Sequence, residues 1–152
     1  MRKKVRAVFQ SILSLDASPK KIAFAFALGA FIAFFPIIGT HTALAFGLAW
    51  AFRVNPMVTL SGSFVNNPWT IAPIFFGSYY LGVFIMGGDR KEINVRFRDL
   101  DWHTVMEIIK NLGVPYVVGG LVAGVVAAFT SYFIVLRMVT LYRRRTAFPP
   151  AE

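Results

Sequence analysis

Two stretches without a formal charge most constrain how this chain can fold: residues 22–52 and 54–88, of 31 and 35 residues, separated only by Arg53. About 20 apolar residues span the hydrocarbon core of a bilayer as a helix, so each stretch is too long for one simple crossing. A third stretch, residues 114–136, has 23 residues and suits one helix. Because the chain is 57% hydrophobic, one soluble core could not bury its apolar surface. The sequence therefore predicts an integral membrane protein.

Helix-breaking residues divide the first stretch. Ser18 is a typical N-cap and Pro19 suits the first helical position, so a helix should begin there. It should end near Pro36, which lacks an amide hydrogen and opposes continuation. A second segment, residues 40–52, follows the turn "PIIG". Both segments are shorter than the roughly 30 Å hydrocarbon thickness, which predicts a re-entrant hairpin that enters and leaves on one side.

The second stretch repeats this device. A short segment, residues 57–65, precedes the break "NNP", and a longer segment, residues 69–86, is predicted to cross the membrane. The last apolar stretch carries Gly120 and Gly124, a spacing that permits close helix contact within a protomer or between protomers.

The predicted fold class is an all-α integral membrane protein. It combines re-entrant or broken helical hairpins with about two full transmembrane helices and short interfacial amphipathic helices. The predicted segments are an amphipathic N-terminal helix (1–17), a broken-helix membrane core (18–88), an extracytoplasmic connector (89–113), a C-terminal transmembrane helix (114–142) and a basic, partly disordered tail (143–152). Within the connector, alternation over residues 93–97 suggests a short strand, and a short helix is expected after Asp101.

The charge of +9 is concentrated in the two ends of the chain. Short flanks rich in Lys and Arg remain cytoplasmic, so both termini are expected inside. Basic flanks also attract anionic lipid headgroups, which explains the charge better than a nucleic-acid partner does.

Polar residues at the two breaks are the candidate substrate-binding groups. Non-helical backbone at membrane depth must meet protein or water, so the two breaks could form one uncharged pocket with helix N-termini directed at an anion. His41 is the only ionisable side chain within either long stretch. Alternatively, the same residues only cap helices and form turns. Arg53 should extend to the cytoplasmic headgroups, where it could meet a lipid phosphate. The candidates are Thr40, His41, Thr42, Asn66, Asn67, Trp69, Thr70 and Arg53.

Enzymatic patterns are missing from the sequence. There are no cysteines, no paired carboxylates in the apolar stretches and no glycine-rich phosphate loop, and the two histidines are 62 positions apart. We therefore expect no catalytic residues, metal site or cofactor.

Residues 18–82 resemble the bacterial membrane family called domain of unknown function 2062. The similarity rests on Ser18-Pro19, Gly29, "PIIGTH", Asn55-Pro56 and "NNPWT". The resemblance implies a small bacterial inner-membrane protein. Some relatives join this domain to a glycosyltransferase domain; we expect none in this chain, so a lipid-linked sugar role is not carried over directly.

These observations lead to one main functional expectation and two alternatives. The main one is binding or translocation of an anionic or lipid-phosphate substrate, such as a polyprenyl-phosphate lipid, at the breaks of a homo-oligomer. The first alternative is a non-catalytic scaffold for the synthesis of lipid-linked envelope sugars. The second is a small oligomeric channel.

Overall fold

The computed structural model describes residues 17–35, 40–67, 69–87 and 112–147, with side chains as far as Arg144. This part of the chain is entirely helical and contains no strand. Its five helices are α1 (Pro19–Ile32), α2 (His41–Ala51), α3 (Pro56–Ser63), α4 (Ile71–Ile85) and α5 (Val114–Ala147).

Two helices begin with the same local device, an N-cap followed by proline. At α1, the Lys21 amide donates to Ser18 Oγ at 3.4 Å, which confirms the predicted helix start. At α3, Asn55 Oδ1 accepts from the amides of Met57 and Val58 at 2.9 and 3.3 Å. Each cap satisfies amides that no helical carbonyl can reach, so the sequence fixes both starts locally.

Helices α1 and α3 run side by side in the same direction. Ile22 and Ala25 pack with Val58 near their starts, and Gly29 lies against Gly62 further along. Helix α2 returns towards the start of α1, because Phe52, just after α2, packs on Phe24 with ring centroids 5.6 Å apart. Helices α1 and α2 are thus a hairpin, in which the start of α1 lies beside the end of α2.

Helix α5 packs against both α1 and α4. At α4, Gly82 faces Pro115 and Ser78 faces Gly119, and each glycine permits backbone contact that a Cβ atom would prevent. Since 78 pairs with 119 and 82 with 115, the two helices are antiparallel.

The glycine pair in α5 serves contacts within the protomer. A Cβ atom on Gly120 would stand 2.9 Å from the Phe34 carbonyl oxygen, and one on Gly124 would stand 3.1 Å from the Phe31 ring. Both glycines therefore pack against α1 and its C-terminal turn, and they supply no argument for an oligomer.

The helix lengths differ from the predicted ones in two places. Helix α4 has 15 residues, about 22 Å at 1.5 Å per residue, and is too short to cross a bilayer alone. In the described part, one helix is long and apolar enough to do so, over Val114–Arg144, where about two had been predicted. Helix α5 also continues to Ala147, so the predicted tail from residue 143 begins as helix. The Arg143 guanidinium donates to the Ala17 carbonyl at 2.9 Å and holds this helical end in place.

Small side chains fill the interior, and large apolar side chains face outwards. The buried positions include seven alanines, whereas Trp50, Trp69 and Phe84 are 85%, 90% and 83% exposed. Several predictions lie outside the described residues: the N-terminal amphipathic helix, the "PIIG" turn, the strand over 93–97, the connector helix and the tail after 147.

Candidate functional site

The two breaks predicted from the sequence meet in the structure, and Asn66 joins them. Its Nδ2 donates to the Ala33 carbonyl oxygen at 3.0 Å and lies 3.4 Å from His41 Nε2. An amide nitrogen only donates, so this contact is a hydrogen bond when His41 Nε2 is the acceptor. Ala33 ends α1 and His41 begins α2, so a single side chain from the second break bridges both sides of the first.

Asn67 and Thr70 have a local role. Asn67 Oδ1 accepts from the amides of Trp69 and Thr70 at 2.9 and 3.2 Å, and the Asn67 amide donates to Thr70 Oγ1 at 2.9 Å. The Thr70 hydroxyl also donates to the Val65 carbonyl at 2.5 Å. These bonds are reciprocal caps on the turn that leads into α4. They agree with the alternative that the second break uses its polar groups for turn formation.

The start of α2 has no side-chain cap from Thr40. Its first helical bond in the described part runs from the Leu44 amide to the Thr40 carbonyl at 2.8 Å, and the Thr40 side chain does not cap the helix. Thr42 is exposed and Thr40 is half-buried. The amides at the start of α2 and the exposed Thr42 hydroxyl lie next to His41, and donors at a helix start can bind an anion.

Four helix ends lie at this level, with opposite partial charges. Helices α1 and α3 end here, and α2 and α4 begin here. The positive N-terminal ends therefore lie beside negative C-terminal ends, and the fields offset in part. Anion binding at the breaks would depend on the individual donors at the start of α2 more than on the combined helix dipoles.

Arg53, another predicted site residue, lies at the opposite end of α1–α3. It follows α2 with a φ of +52°, the left-handed conformation that usually belongs to glycine. Its side chain lines a cleft of about 280 Å³ together with Ser18, Lys21 and Asn55. It also lines a second cleft of about 570 Å³, whose other walls include Phe46 and Trp50. Arg53 is therefore not part of the junction at the breaks.

Trp69 is fully outside the junction as well. Its side chain is 90% exposed, and its amide donates to Asn67 Oδ1.

The sequence did not predict the role of the Ala33 carbonyl, because Ala33 lies in an uninterrupted apolar stretch with no local signal. It also missed Lys21, although the basic pair after Pro19 beside a helix start was a visible signal.

Comparison with known proteins identifies the family. The family model described as "uncharacterized protein conserved in bacteria (DUF2062)" matches residues 2–147, so the chain belongs to this family. The match extends well beyond the residues on which the resemblance rested. No curated protein and no solved structure matches the chain.

Proposed function

We propose that this protein resides in the bacterial inner membrane and binds or translocates an anionic, phosphate-bearing substrate at its helix breaks. The observation that carries the proposal is the uncapped start of α2 beside His41, at the place where Asn66 draws the two breaks together. The amides of the first turn of α2 and the His41 imidazole offer donors among apolar helices, and such donors favour an anion because few other groups compete for it.

The distribution of side chains supports a membrane location. Large apolar residues are exposed and small residues are buried, as expected where lipid surrounds the protein and helices associate through close contact. Only 17% of the most apolar window of α5 is buried, unlike the core helix of a soluble protein. Basic residues occupy the end at which Arg143 meets Ala17, and this end would face the cytoplasm.

The helix path suits a specific topology. Helices α1 and α2 would be a re-entrant hairpin from the cytoplasmic side, α3 and α4 a broken outward crossing, and α5 the return. Helices α3 and α4 contain 8 and 15 residues, which together give about 34 Å of helix, enough to cross a bilayer.

Cysteine-accessibility labelling tests this topology, since the chain has no native cysteine. R53C should react with an impermeant reagent from the cytoplasmic side alone and G87C from the opposite side alone. Labelling of both from one side would refute the topology.

The binding proposal is tested by thermal stability of the detergent-purified chain with phosphate-bearing lipids and small anions. A ligand present at about a hundred times its Kd should add about 2.7 kcal/mol of stability. His41→Ala should abolish that shift. Asn67→Ala is the control, because it removes a cap, lowers the stability and should leave the shift intact. Equal ligand shifts in the parent and His41→Ala would refute a site at the breaks.

A scaffold role is the second candidate, and a specific observation favours it. Asn66, Asn67 and Thr70 are already engaged with other groups of the chain, so the second break needs no ligand for stability. A scaffold should show no ligand shift in any variant and should co-purify with an envelope-synthesis enzyme. We further propose a homo-oligomer for the transport function, since the five described helices enclose little interior. A monomer that transports would refute this.

A further inference from the structure

The end of the molecule opposite the breaks carries two adjoining clefts that differ in chemistry. The smaller is lined by Lys21, Arg53, Ser18 and Asn55, and the larger by Phe46, Trp50 and other mainly apolar residues. Arg53 and Val54 belong to both. The two clefts together therefore have one cationic part and one mainly apolar part, with Arg53 and Val54 as a shared wall.

We propose that the paired clefts bind one amphiphile: the phosphate of a lipid headgroup between Lys21 and Arg53, and its apolar tail along Phe46 and Trp50. This site is separate from the helix breaks. It rests on the membrane location in the proposed function, but not on ligand binding at the breaks.

Charge in the smaller cleft favours an anion. No carboxylate occurs among the described residues, and in that part of the chain neither the Lys21 ammonium nor the Arg53 guanidinium has a hydrogen-bond or ion-pair partner. A guanidinium presents a planar fork that matches phosphate geometry, and an ammonium adds a second point charge. Helices α1 and α3 both begin at this cleft and α2 ends beside it, so the helix dipoles offset in part and the two cationic side chains carry the attraction.

The backbone of Arg53 provides a second argument. The Val54 amide donates to the Ala49 carbonyl at 2.9 Å, and the Arg53 amide donates to the Trp50 carbonyl at 3.2 Å. In a helix end with these two bonds, glycine is the usual residue at the left-handed position. Arginine there adopts a φ of +52° that side chains rarely take. Strained positions of this kind often have a functional role. Here the strained residue is one that lines both clefts.

The larger cleft decides between a lipid and a free phosphate. Free phosphate would use only the cationic cleft and would leave the apolar one to bulk lipid or detergent. The Trp50 side chain is 85% exposed beside Arg53, where an acyl or isoprenoid tail attached to the phosphate would pack on it. A tail bound there removes apolar surface from water at the headgroup level.

The experiment is native mass spectrometry of the full chain in detergent, titrated with phosphatidic acid and, separately, with phosphatidylcholine of the same tails. We expect one saturable phosphatidic acid molecule per chain and no saturable phosphatidylcholine. Lys21→Gln and Arg53→Gln should each weaken binding at least about tenfold, the usual loss for a hydrogen bond to a charged group. Lys20→Gln is the matched control, because Lys20 is the exposed neighbour with the same charge and does not line the cleft.

Two further variants separate the parts of the proposal. Arg53→Gly should raise the melting temperature by relieving the left-handed strain and still lose binding, which a purely structural role would not produce. Trp50→Ala should weaken the binding of long-chain phosphatidic acid more than the binding of its short-chain form.

Equal losses of binding for Lys20→Gln and Lys21→Gln would overturn the site in favour of diffuse attraction to the basic surface. Displacement of the lipid by equimolar inorganic phosphate would overturn the proposal that the ligand is an amphiphile. His41→Ala should leave this binding unchanged, so failure at the breaks and failure here can be told apart.

Discussion

Replacing Gly29 by alanine should force α1 and α3 apart. A Cβ atom on Gly29 would overlap the Thr59 carbonyl oxygen and stand 2.8 Å from both Gly62 Cα and the Ser63 amide nitrogen, closer than the 3.0 Å that Cβ atoms keep. All three neighbours are backbone atoms, so no side chain can rotate away. The helices would have to separate by roughly 1 Å, and a gap of that size loses a quarter to a half of the dispersion energy at the contact.

The expected loss follows from two opposing terms. Overpacking costs about 1–3 kcal/mol, and the upper value applies because backbone must move. Alanine offsets about 1 kcal/mol of this cost, because its helix propensity is higher than that of glycine. The net loss is therefore about 2 kcal/mol, which for a chain of this size lowers the melting midpoint by roughly 4–8 °C.

The assay is thermal unfolding of the detergent-purified chain, followed by circular dichroism. Gly47→Ala is the matched control, since Gly47 lies within a helix and a Cβ atom there would meet nothing within 4 Å. That variant should be as stable as the parent or slightly more stable. If Gly29→Ala unfolded at the same temperature as Gly47→Ala, close backbone contact between α1 and α3 would be the wrong account of this interface.

Three further predictions concern stability. Gly82→Ala should lower the midpoint by a similar amount, because its Cβ atom would overlap the backbone of Pro115 across the α4–α5 contact; an unchanged midpoint would argue against that contact. Asn66→Ala should cost about 1 kcal/mol in thermal unfolding, since it removes the hydrogen bond to the Ala33 carbonyl at the end of α1, and a neutral result would mean that the breaks do not depend on this bridge. In denaturant titrations, Ser18→Ala should cost about 0.5 kcal/mol and Asn55→Ala between about 1 and 2 kcal/mol, because Asn55 caps two amides and Ser18 one long bond; the reverse order would contradict the cap geometry.

Part of the junction at the breaks could be predicted and part could not. The sequence placed His41, Asn66 and Asn67 at breaks because proline lacks a donor and glycine or asparagine accepts unusual backbone geometry, and these effects reach only a few residues. It could not tell Asn66 from its neighbour. Asn67 bonds within its own turn, whereas Asn66 reaches a carbonyl 33 positions earlier, and only the packing of α1 on α3 determines which side chain points there.

The sequence by itself determined the local events: where helices begin, where they break, the apolar character of each segment and the concentration of positive charge towards the ends. Each depends on neighbouring residues or on composition. The tertiary structure decided which helices touch, because the glycines and alanines that allow close approach look alike in sequence whichever partner they face. Gly120 illustrates this, since its spacing fitted contact within or between protomers and the fold assigns it to α1. It also decided that Arg53 and Lys21 share one cleft, since that depends on α1 and α3 running parallel from a common end.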